Sequence, residues 1–226
     1  MATKLVAPPM VVSTGVVGTA AGSAFVELGD ARVLCAVRGP SQAAAAAGPD
    51  GRLVVTLSQA PFADPDVAAS DPDAFRAGAF DEITDAVTRA LEAAALLHRF
   101  PQQQFDVAVD VLSRDGSEAA ACIVAASVAL ADAGVELRDT LGAATACLTA
   151  AGAVVVDATP EDAAGATASV LVAAGAASGD VFLLRHRGTA SPDTLWGLTQ
   201  AALATVAARR AVLEAALAPP DAAPVA

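Results

Sequence analysis

The 226 residues are enough to bury a substantial core in one large domain or two small ones. Hydrophobic residues make up 55% of the chain, yet much of this is alanine and only 4% is aromatic, so core side chains are small. With 25 acidic residues against 13 Lys and Arg, the formal net charge is −12. That balance speaks against an autonomous RNA enzyme, because polyanions are held mostly by Lys and Arg.

The most apolar run, Ala119 to Ala131, is too short to span a bilayer and reads as a buried helix, so no membrane partner is expected. Met1 to Leu5 lacks the charged, apolar, cleavable order of a secretory signal. Cys35, Cys122 and Cys147 lie in separate apolar segments without ligand-like spacing, which predicts core thiols in a reducing compartment. His98 and His186 have no Cys or His at metal spacing, so neither a metal nor a cofactor is expected.

In chain order, Gly22 to Pro40 alternates on both sides of Gly29-Asp30 and predicts a hairpin. Ser41-Gln42 and the alanine run Ala43–Ala47 read as a loop insert closed by Gly48-Pro49-Asp50-Gly51. Arg52 to Ser58 alternates as a strand, followed by an acidic loop from Asp64 to Asp73. Ile83, Val87, Leu91 and Ala94 recur at helical spacing, predicting a helix from Asp81 to His98 that ends before Pro101. Phe105 to Leu112 alternates as a strand, and Arg114-Asp115-Gly116 turns the chain. Ser117 is placed to N-cap a helix running to Asp132, apolar on every face and therefore central.

Strands follow at Ala143–Leu148 and Ala153–Asp157, then at Ser169–Ala173 and Asp180–His186. Ser191-Pro192-Asp193 opens a last helix, carried by Leu195, Leu198, Ala202, Val206, Arg209, Leu213 and Leu217 to the Pro219-Pro220 stop. These elements predict one α+β domain over residues 1–218, with a disordered tail at 219–226.

The wording of the hairpin resembles the opening of ribonuclease PH and its relatives, the ring-forming subunits of the RNA exosome. Ala60-Pro61-Phe62-Ala63 is similar to the short motif after that family's third strand, and Phe100 to Val107 to the entry of its central strand. More specific is Asp110 to Ser117 with Ala126 to Val135, which resembles the family's strand, phosphate-binding turn and buried helix. The resemblance runs from about Val11 to Ala218. It implies a ribonuclease PH-like fold (ribosomal protein S5 domain 2-like), with mixed sheets packed on helices. It also implies a hetero-hexameric ring of such subunits around a channel for single-stranded RNA, topped by S1/KH-type cap subunits. Nucleus, nucleolus and cytoplasm are the compartments that go with it.

Active relatives place a hydroxyl residue and an arginine at the turn to hold the attacking phosphate; here those positions are Glu118 and Ala119. The family's paired aspartates, six residues apart, fall on Asp162 and on Ala168 (Thr167 if the register slips by one). The arginines that face RNA after the Pro-Phe motif give way to Asp64, Asp66, Asp71 and Asp73, with Arg76 alone among them. The expectation is therefore a catalytically inactive ring subunit, with Arg114 as the candidate for whatever RNA contact remains. The alternatives are an active phosphorolytic 3′-to-5′ exoribonuclease with displaced residues, and an unrelated acidic α+β binding module.

Overall fold

The alternation at 22–40 builds the expected hairpin. β3 (Gly22–Leu28) and β4 (Ala31–Gln42) pair antiparallel, with Glu27 opposite Arg32 in an ion pair at 3.0 Å. β4 runs past Pro40, so Ser41 and Gln42, expected in a loop, pair instead with Gln104 and Gln103. The computed structural model describes residues 3–4, 7–42, 50–60, 62–63 and 80–218. The alanine run, Pro61 of the Pro-Phe motif, the acidic segment with Arg76 and the tail at 219–226 lie outside the described residues.

β1 (Thr3–Lys4), β2 (Met10–Thr14), β5 (Arg52–Gln59) and β6 (Gln103–Ser113) precede the central helix, α2 (Glu118–Asp132). β7 (Leu141–Thr149), β8 (Val154–Val156), β9 (Ala166–Gly175) and β10 (Val181–Gly188) follow it. The first sheet has the order β2-β3-β4-β6-β5 and the second β1-β8-β7-β9-β10. β5 is parallel to β6 and needs a crossover, which contains α1 (Asp81–Ala94).

α1 stops at Ala94 rather than His98. Ala95 turns extended (φ −75°, ψ 139°), and the Leu96 N–H donates to the Glu136 carbonyl while the Arg138 N–H donates to that of Ala94. The chain at 136–138 thus offers backbone partners that another helical turn would forgo, and Leu97–Arg99 forms only a 3₁₀ turn.

α2 runs between the sheets with Ala120 to Ala126 and Val128 to Leu130 fully buried, as a helix apolar on every side must. α4 (Pro192–Leu217) covers the other face of the second sheet, which is therefore buried on both sides. In β9, Leu171 and Ala173 face the α2 core while Val170, Val172 and Ala174 face α4, so the strand reads as one apolar run. Cys35, Cys122 and Cys147 are all buried free thiols.

Candidate functional site

The turn between β6 and α2 is clamped from two sides. Gly116 has φ +81°, and a Cβ there would lie 2.5 Å from the Ala158 carbonyl oxygen, so only glycine lets the turn approach the segment leading to α3 (Pro160–Ala164). On the other side the Asp115 carboxylate accepts the Asp30 N–H at 3.1 Å, tying the turn to the hairpin tip.

Ser117 does occupy the N-cap position of α2, but its side chain makes no capping bond. Its φ of −105° and ψ of 18° are not cap geometry, and its buried hydroxyl has no partner among the described residues. Glu118 supplies the polar contacts instead. Its Oε1 accepts the Gly116 N–H at 3.1 Å and the Arg114 Nε–H at 3.2 Å, and the residue is only 6% exposed. A carboxylate thus sits at the positive end of α2, where it stabilises the helix and repels another anion. Ala119, half-buried, brings no polar group. Arg114, besides its ion pair with Glu118, holds its guanidinium 5.8 Å from the Phe80 ring centroid.

Asp162 lies in α3. Its N–H donates to the Thr159 hydroxyl at 3.4 Å, and that hydroxyl lies the same distance from its carboxylate, a capping exchange that explains the short helix. Ala168 is in β9 at 2% exposure, while Thr167 is exposed and donates its hydroxyl hydrogen to the Leu148 carbonyl at 3.3 Å. Neither position offers a second carboxylate to Asp162. No group of three His, Cys, Asp or Glu suited to a metal ion converges among the described residues.

Of the positions singled out from the sequence, Ser117 and Asp162 stay outside one cleft of about 720 Å³ that the others here line. Arg114, Gly116, Glu118 and Ala119 line it from the head of α2, Ala163 from α3, and Thr167 and Ala168 from the second sheet. Sequence reasoning missed its other charged members: Glu82 of α1 and Arg185 and Arg187 of β10. Glu82 pairs with Arg187 and lies 3.6 Å from Arg185, which also donates to the Glu82 carbonyl. The signal available was a strand with Arg185 and Arg187 two residues apart within an acidic chain.

A buried pair behind the cleft was also missed. Arg209 of α4 donates to the Asp157 carboxylate and, at 2.9 Å, to the Ala143 carbonyl, while the Thr145 N–H donates to Asp157 at 2.8 Å. Burial pushes the Asp157 carboxyl up, against the pull of Arg209 and the Thr145 N–H. Cys147 also lines the cleft. Burial, with Asp157 and then Asp162 adding to it, pushes its thiol up to about 11, so it is no nucleophile at neutral pH.

A profile of the "3′ exoribonuclease family, domain 1" matches residues 8–136. The exosome complex component Rrp41 of Thermococcus kodakarensis is 36% identical over 188 residues, covering 82% of this chain and 74% of that one. The human exosome complex component MTR3 is 38% identical over 145 residues, 58% of this chain and 52% of its own. Among solved structures, rice Rrp46 superimposes with a TM-score of 0.79 at 19% identity, covering 95% of this chain and 97% of that one. A chain of the Archaeoglobus fulgidus exosome with RNA bound to the active site gives 0.76 at 20% identity, covering 92% and 89%. These two likenesses bear on the fold alone.

Proposed function

The chain belongs to the ribonuclease PH family of 3′ exoribonucleases, and from that premise we propose that it is a catalytically silent ring subunit of an exosome-type complex. The observation that carries the reading is the Glu118 carboxylate, seated at the head of α2 and held there by the Gly116 N–H and Arg114. A phosphate would have to displace it, and Ala119 brings no guanidinium to replace what is lost. Ala168 leaves Asp162 without a partner carboxylate. In this reading residues 1–218 form one ribonuclease PH-like domain that helps wall a channel for RNA degraded or processed from its 3′ end. Its partners are other ribonuclease PH-like subunits and S1/KH-type caps, in the nucleus, nucleolus and cytoplasm.

The likeness to Rrp41 over most of the chain favours one competing reading, an active phosphorolytic subunit. One substitution in the complex that co-purifies with this chain separates the two. Asp162→Asn is expected to leave phosphate-dependent release of nucleoside diphosphates from single-stranded RNA unchanged. A fall in that activity establishes the competing reading, and failure to co-purify with any ribonuclease PH-like chain removes both.

A further inference from the structure

The cleft gathers cationic side chains in a chain whose formal net charge is −12: Arg114, Arg185 and Arg187 all line it. An unopposed cluster of that kind would draw a polyanion in. Two carboxylates enter the same cleft. Glu118 takes Arg114, as described. Glu82, in the first turn of α1, bridges to Arg187 and Arg185, and the Arg185 guanidinium also holds the Glu82 backbone carbonyl.

Arg185 and Arg187 are two apart in β10, so their side chains leave the same face of the strand and repel each other. One carboxylate shared between them is the arrangement that a backbone phosphate would otherwise make. As a stabilising contact the bridge is minor: Glu82 is about half exposed and Arg187 more so, and exposed pairs contribute about 0–1 kcal/mol. Its larger effect is on the field of the cleft.

We infer that Glu82 is a built-in substitute for a nucleic-acid phosphate, contributed by α1, which occupies Arg185 and Arg187 and offsets one of their two charges, and so disfavours single-stranded RNA in this cleft. The inference rests on the silent-subunit reading and gives that silence a second cause, independent of the phosphate turn. It makes the effect reversible by one substitution, since both arginines are already in place.

The test is photo-crosslinking of a 4-thiouridine-containing single-stranded RNA to this chain within the co-purified complex, where the crosslinked subunit is resolved by mass. Glu82→Gln removes the charge while keeping the side chain's size, and is expected to raise crosslinking to this chain roughly five-fold or more at low salt, with a steeper fall as salt is added. In Glu82→Gln with Arg185→Gln and Arg187→Gln the yield is expected to return to that of the parent. No rise with Glu82→Gln, or a rise that survives loss of both arginines, overturns the inference. The thermal midpoint of each variant complex verifies that the fold is intact. Phosphorolysis lost through Asp162→Asn would break the silent-subunit reading by a different readout.

Discussion

In the proposed reading Glu118 and Ala119 stand where active relatives hold phosphate, and replacing both tests how much of the site is recoverable. Glu118→Thr with Ala119→Arg removes a negative charge from the head of α2 and adds a positive one, which is enough for a usable anion site. Weak binding of sulfate or phosphate is expected by calorimetry, without phosphorolysis, since Ala168 still leaves Asp162 alone. Groups that act as a catalytic unit lose nearly everything when one is missing. Phosphate-dependent RNA shortening by this double variant would show that the catalytic positions lie elsewhere. A second residue-level expectation concerns Arg209 and Asp157, which are 5% and 0% exposed. Arg209→Met strands a buried carboxylate and is expected to cost about 3–5 kcal/mol by urea denaturation. Adding Asp157→Asn should recover most of it, because the amide still accepts the Thr145 N–H and Asn tolerates the φ of +47° found there.

Among the elements, β10 carries the greatest consequence for assembly. It is an edge strand of the second sheet, with Val181 46% and Leu184 51% exposed, and an open edge of this kind invites pairing with another chain. Leu184→Asp is expected to reduce co-purification with ring neighbours while leaving the melting temperature of the chain itself within a few degrees. Unchanged recovery of the complex would place the contact on another edge. α2 makes a contrasting element: its N-terminal turn serves the cleft while the body of the helix is the core. Ile123→Ala, fully buried between the sheets, is therefore expected to cost about 2–5 kcal/mol in the same denaturation measurement.

At the scale of the whole molecule, the three thiols set an alkaline limit. The Cys147 thiol ionises near 9.0 when unfolded and at about 11 when folded, so the unfolded chain releases its proton first. Stability therefore falls as pH rises from about 9 to 11, by roughly 3 kcal/mol for this residue alone. Burial pushes Cys35 and Cys122 up as well, so both steepen the decline. Urea midpoints measured across that range should drop, and Cys147→Ala should make the drop shallower; a flat profile would mean the thiols are solvated. The exposed apolar residues also include Val11, Phe62 and Trp196. Expressed alone, the chain is expected to self-associate, with relief on co-expression with a ring neighbour. A monomer whose sedimentation is independent of concentration would count against the assembly role.

Local pattern alone determined the hairpin at 22–40, the strand at Phe105–Leu112 and the buried character of α2, because alternation and all-round apolarity are properties of neighbouring residues. The departures from the family motif proposed at Glu118, Ala119 and Ala168 rest on the same kind of local reading, since a motif is a short string. Other features needed the folded chain. Ser117 lost its capping role because the turn holds it at φ −105° and ψ 18°, outside cap geometry. α1 ended early because strangers in sequence at 136–138 offered its last turn better hydrogen bonds. Arg209 sat unremarked on a helical stripe until Asp157, 52 residues away, met it in the core. Glu82 reaches Arg187 across 105 residues. Ion pairing is decided by which side chains the helices and the second sheet bring within a few ångströms, and no periodicity in the chain records that distance.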